Sequence, residues 1–227
     1  MHEDPPVISR RERNKINTTT RLLDAARTLF AEKGVAGTTI EDIAETADVA
    51  RATFFNYFQN KSAVLQALWA DQMARFNLVI DQQLSQDTPT IERLRNIFHA
   101  FVLGTIRQPN YLRNVIGELE QDWGTPEISK GRLDALHAAL ARLIEAGVAQ
   151  GDVRTDYSSD FLAQMISAAY LSVQRNWRLD LTYDLATSCD EATRFLAAAI
   201  APQKPTRAPA AAKATPASPA KKPVKKQ

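Results

Sequence analysis

Residues 34–61 read GVAGTTIEDIAETADVARATFFNYFQNK, and the fold turns on them. Thr38 and Glu41 have the spacing of a capping box, with the Thr38 hydroxyl accepting from the Glu41 amide, and Ile40, Ile43, Ala44 and Ala47 continue a short helix from there. A turn at Thr46-Ala47-Asp48-Val49 leads to a second short helix, Ala50 to Phe58. Isolated helices of that length are marginal in water, so this one depends on Val49, Phe54 and Phe58 being packed against the protein. The other side carries Arg51, Thr53, Phe55, Asn56 and Tyr57, groups able to hydrogen-bond phosphates or base edges and to touch thymine methyls. Two short helices across a tight turn make a helix-turn-helix, in which the first braces the second.

Outward from this stretch, the chain reads as consecutive amphipathic helices from about Thr18 to Ala201 with no sustained strand alternation, which sets the class as all-α. Leu22, Leu23, Ala26, Leu29 and Phe30 form one stripe, so a first helix runs from Thr18 or Thr19 to Lys33 and stops at Gly34. Asn60 caps a fourth, with Val64, Leu65, Leu68, Met73 and Phe76. Thr88-Pro89 and Thr125-Pro126 read as N-caps followed by proline at the first helical position, opening the fifth and seventh. Tyr111 to Glu120 forms a short sixth. The eighth carries Phe161, Met165, Ala169, Tyr170, Val173 and Trp177, and the ninth runs from Leu185 to Ile200. Beyond Pro202 the Ala, Pro and Lys composition cannot bury a face, so a disordered tail is expected.

The 227 residues carry a net charge of +2, but the tail alone contributes +7 without an acid, which leaves about −5 on residues 1–201. Phosphate affinity must then come from concentrated cations. Arg10, Arg11, Arg13 and Lys15 are one such group, read as a flexible arm over residues 1–15. No apolar run approaches the roughly 20 residues of a membrane span, and the first residues lack a secretory signal, which points to the cytoplasm. One cysteine, Cys189, and three scattered histidines give no metal-ligand spacing, and no cofactor motif or nucleophile arrangement suggests an enzyme.

The segment resembles the TetR/AcrR family of bacterial transcriptional repressors. Thr38-Thr39, Ile43-Ala44, the run Thr53-Phe54-Phe55-Asn56-Tyr57-Phe58 and Lys61 match that family's signature in order and spacing, over roughly residues 16–76. Asp48 departs from the usual glycine, Ala50 from the usual Ser or Thr cap, and Phe55 from the commoner tyrosine.

The resemblance implies a helix-turn-helix DNA-binding domain over 16–62, with its motif at about 39–58, and a helical regulatory and dimerisation domain over 63–201. It implies that Thr39 and Lys61 meet phosphates, that Arg51, Thr53 and Asn56 face the major groove, and that Phe55 and Tyr57 lie against backbone or thymine methyls. It implies a homodimer through the eighth and ninth helices on palindromic operator DNA, and release by a small-molecule effector. Candidates for that effector pocket are Met73, Phe76, His99, Tyr111, Trp123, His137 and Met165. The competing reading is an activator or a broad, nucleoid-type DNA binder.

Overall fold

A computed structural model describes residues 9–120 and 126–203 of the chain. These form α1 (Arg10–Lys33), α2 (Ile40–Thr46), α3 (Arg51–Phe55), α4 (Lys61–Leu84), α5 (Thr90–Arg107), α6 (Pro109–Glu120), α7 (Pro126–Gln150), α8 (Ser159–Leu179) and α9 (Leu185–Ile200), with no strand among the described residues. The all-α expectation holds. Trp123, Thr125 and the tail from residue 204 lie outside the described residues.

Two apolar cores organise the molecule. The head core gathers Leu22, Ala26 and Phe30 of α1, Ile43 and Ala44 of α2, Phe54 of α3, and Val64, Leu65 and Leu68 of α4. The bundle core gathers Leu94 and Phe98 of α5, Leu140, Leu143 and Ile144 of α7, Leu162 and Ile166 of α8, and Leu196 and Ile200 of α9. A fully buried side chain of this size contributes about 1.5–3 kcal/mol, so either core far outweighs the surface ion pairs. Only α4 and α6 enter both: Ile80 of α4 and Ile116 of α6 sit in the bundle, whereas Leu65 of α4 and Val115 of α6 sit in the head.

Three helix starts differ from expectation. The first helix begins at Arg10, so the basic residues Arg10 to Lys15 are helical and not a loose arm. Its signal is a capping box: Ser9 Oγ accepts from the Glu12 amide at 3.2 Å, and Ser9 N donates to Glu12 Oε2 at 3.0 Å. At α2 the cap is Thr39 with Asp42, while buried Thr38 donates back to the Gly34 carbonyl at 2.8 Å. At α5 Thr88 makes no cap. The start is held from far along the chain, where Asp152 accepts from Thr90 N at 2.6 Å and from Thr90 Oγ1 at 2.9 Å.

That last contact belongs to a tightly closed pole. A Cβ on Gly147 would meet Thr90 Oγ1 at 2.2 Å and Val153 Cγ2 at 2.4 Å, so only glycine fits there. Beside it, Arg154 N donates to the Ile200 carbonyl at 2.8 Å, tying the end of α9 to the α7–α8 loop.

Several large apolar side chains of the bundle helices face outward in the single chain. Leu133 and Met165 are each 44% exposed, Phe161 42%, and Phe195 70%. Their stripes are wider than one bundle can cover.

Candidate nucleic-acid interface

The turn between α2 and α3 decides how α3 is presented. Val49 N donates to the Ala44 carbonyl and Asp48 N to the Glu45 carbonyl, both at 2.9 Å, the bonding pattern of a Schellman stop. That stop needs a left-handed residue, and Asp48 supplies it with φ at 51°. Its carboxylate is met by Arg21 Nη2 at 3.1 Å, and the same nitrogen donates to the Asp48 carbonyl at 2.9 Å and to the Ala47 carbonyl. Arg21 thus offsets the charge that aspartate brings to this corner.

The helix α3 is only five residues long, shorter than the sequence suggested, and its N-cap Ala50 accepts no side-chain hydrogen bond because it has no side-chain acceptor. Packing holds it instead. Phe54 is fully buried and Phe58 nearly so, their rings 5.9 Å apart. Phe55 remains 42% exposed, its ring edge-on to Phe54 at 5.6 Å with the Arg51 guanidinium 5.4 Å above it. Arg51 and Asn56 are exposed, Thr53 is partly so, and Tyr57 is half-buried against the head core. The structure therefore brings Thr53, Asn56 and Tyr57 along one groove and stacks Arg51 on Phe55 beside them in the chain.

Two other members of the set are engaged by the protein itself. Lys61 Nζ donates to the Val35 carbonyl at 2.6 Å and the Thr38 carbonyl at 2.8 Å, pinning the α1–α2 loop to the start of α4. Two of the three N–H donors of the ammonium are thus placed within the protein, which leaves one for a phosphate. Thr39 Oγ1 accepts from Asp42 N at 3.0 Å, which leaves its own proton free to donate outward. Hydrogen bonds from the Thr39 backbone and then its side chain hold the Asp42 carboxyl below the ordinary carboxylate range. Arg51 Nε pairs with Glu41 at 2.7 Å across the motif, both side chains more than half exposed. Such a pair is worth about 0–1 kcal/mol and is readily exchanged for a stronger anion.

Beside this surface, Arg10, Arg11, Asn14 and Lys15 of α1 face Thr53, Asn56 and Tyr57 across an open groove. The sequence hid this groove, since it exists only because α1 begins early.

The effector candidates are not gathered in one place. Met73 and Phe76 pack against the bundle core, but His99 is exposed on α5, and Met165 lies on the outer side of α8. Tyr111 packs against the head core, where removal from water raises its phenol pKa. His137 Nε2 lies 2.9 Å from Ser167 Oγ, bridging α7 and α8. A pocket of about 360 Å³ that no sequence signal marked lies elsewhere, between Thr105, Ile106 and Pro109 on one side and Trp177 with Tyr183 to Ala186 on the other. Cys189 is buried in α9 with its thiol pushed up to about 11 by burial, the mark of a structural cysteine.

Head and bundle are connected through α6. Asn114 Nδ2 donates to the Phe30 carbonyl at 2.7 Å, and Arg113 Nη1 donates to the Trp177 and Arg178 carbonyls at 2.5 and 3.0 Å. The Arg113 guanidinium also lies 4.1 Å over the Trp177 ring.

The model of bacterial regulatory proteins, tetR family, matches residues 22–68, which span the head core and the presented helix. The chain carries a tetR-family domain over these residues. It is a helix-turn-helix, DNA-binding regulator of transcription. The "Probable acrEF/envCD operon repressor" of Escherichia coli (strain K12) is 23% identical over 186 residues, covering 79% of this chain and 84% of that one. Thermus thermophilus FadR, a transcriptional repressor solved with lauroyl-CoA, superposes with a TM-score of 0.66 at 25% identity, over 85% of this chain and 99% of that one. SmeT, the repressor of the Stenotrophomonas maltophilia multidrug efflux pump SmeDEF, gives 0.66 at 24% identity over 82% of this chain and 92% of its own. SmeT has also been solved with triclosan. No helix among the described residues is long and apolar enough to cross a membrane.

Proposed function

We propose that this tetR-family regulator is a cytoplasmic homodimeric repressor, without enzymatic activity, that grips a palindromic operator with α3 and lets go when a small molecule enters its bundle. The observation that carries the reading is the division of α3, with Phe54 sealed in the head core and Phe55 and Asn56 turned outward. Thr53 and Asn56 are the base-reading candidates, Thr39 and Tyr57 contact phosphates, Phe55 rests on thymine methyls, and Arg51 exchanges Glu41 for DNA. One such helix reads only a few base pairs, so two copies related by a dyad are needed to specify a site. The outward Phe161 and Met165 of α8 and Phe195 of α9 supply an apolar seam for that pairing.

Repression is the reading favoured by the relatives, which include an operon repressor and an efflux-pump repressor. The bound lauroyl-CoA and triclosan of two relatives favour an apolar effector. Since α4 and α6 contribute to both cores, an effector that prefers a shifted position of either would re-aim the heads. A hundredfold change in operator affinity requires about 2.7 kcal/mol of such preference.

Selection of bound DNA from a random pool, followed by footprinting, tests the proposal. A discrete palindrome is expected, and Asn56→Ala should relax the preference at one position in each half-site by about 1–3 kcal/mol of discrimination. Broad protection without a consensus would favour a nucleoid-type binder. Equal losses on every sequence would remove Asn56 from the reading set.

A further inference from the structure

The family match begins at residue 22, yet α1 begins at Arg10, so three helical turns stand ahead of the shared domain. Within them Arg10, Arg11, Asn14 and Lys15 recur at helical spacing along one face, and that face forms a wall of the groove whose other wall is Thr53, Asn56 and Tyr57. We propose that this groove is a second DNA site, holding a stretch of sugar-phosphate backbone between the start of α1 and α3. The proposal rests on α3 being the DNA-facing element.

Charge and order both favour that occupant. Arg10, Arg11 and Lys15 are exposed and form no ion pair among the described residues. The nearest acid within these turns, Glu12, is turned back onto Ser9, whose hydrogen bonds hold its carboxyl below the ordinary range. Its charge therefore serves the helix start and does not line the groove. Two guanidinium forks, an ammonium and the Asn14 amide on the α1 wall face the Tyr57 hydroxyl across one channel, at the edge of the base-reading pair Thr53 and Asn56. These are donors suited to phosphate oxygens, and guanidinium takes them two at a time. Because the capping box already fixes the first turn, less ordering entropy is lost when the phosphates arrive. Contacts of this kind position the protein and carry no sequence information.

The test uses the full chain and its selected DNA site, with affinity measured across a salt series. Each phosphate contact contributes about 0.9 to the slope of log affinity against log salt. The triple variant R10A/R11A/K15A should lower that slope by up to about 2.7 for each protomer engaged, with the selected consensus unchanged and thermal unfolding preserved. Arg13→Ala, which removes a cation from the same turns but outside the groove, should leave the slope within one contact of the parent. An unchanged slope in the triple variant overturns the groove while leaving α3 as the reader. A drop in Arg13→Ala as large as that of the triple variant also overturns it, reducing the effect to general charge. A parent protein that retains no DNA of any sequence overturns both this site and the function on which it rests.

Discussion

The head and the bundle of this molecule differ in how completely each closes on itself. In the head, the large apolar groups of α1 to α3 point inward apart from Ile16 and Phe55, and Phe55 belongs to the presented face. In the bundle, Phe161, Met165, Leu179 and Phe195 stay in water although a well-filled core lies behind them. The lesson is that the head is finished as a single chain, whereas the bundle has apolar surface reserved for something else. Damage to the head should therefore act through stability, and damage to the outer bundle through assembly.

The largest effect should come from Phe54→Ala. Emptying a fully buried phenylalanine site costs about 3–5 kcal/mol, enough to unfold a small head. DNA binding should vanish while the bundle retains its helicity, as read by circular dichroism melting. Simultaneous loss of both would mean that the two cores form one cooperative unit. Next, Phe195→Glu should split the dimer, weakening association at least a hundredfold, or about 2.7 kcal/mol, in analytical ultracentrifugation, with the monomer's melting curve little changed. A variant that stayed dimeric would move the seam away from α9.

A smaller loss is expected from Thr39→Ala, about 1 kcal/mol for a deleted N-cap. It also carries a pH signature. The folded-state pKa of Asp42 is depressed by Thr39, so its stabilisation is present above the ordinary value of 3.8 and is lost as pH falls through the folded value. Parent stability should decline in that acid window more than that of Thr39→Ala, since the variant has already lost the side-chain hydrogen bond. Matching acid profiles would separate Asp42 from the cap. The smallest effect belongs to Asp48→Gly. Glycine relieves the left-handed backbone but gives up the Arg21 pair, so a net change within about 1 kcal/mol is expected in urea titration.

How much of this was legible in the sequence follows the same division. The helix-turn-helix was readable because alternation of buried and presented groups within a few residues leaves few arrangements for Phe54, Phe55, Asn56 and Phe58. The start of α1 was missed because residues 10–17 carry charge without an apolar stripe, although the Ser9 and Glu12 pair was there to be seen. At Thr38 and Thr39 two capping boxes fit equally well, and only the demand of the Gly34 carbonyl for the Thr38 hydroxyl separates them. The true partner of Thr90 lies 62 residues away, beyond the reach of any local pattern. The effector candidates scattered for the same reason: helical spacing assigns a residue to a face, but which faces converge is decided by packing among several helices. His99 and Tyr111 show the cost, one reaching solvent and the other joining the head.

The closed pole around Gly147 has a mechanical consequence. With Thr90 fastened to Asp152, no room for a single methyl between them and Gly147, and Ile200 anchored beside Arg154, the ends of α5, α7 and α9 cannot slide past one another there. Any rearrangement of the bundle must then swing about that end as tongs swing about their rivet. Displacement grows along the helices toward α6, so the farthest-travelling tips are those that carry the head.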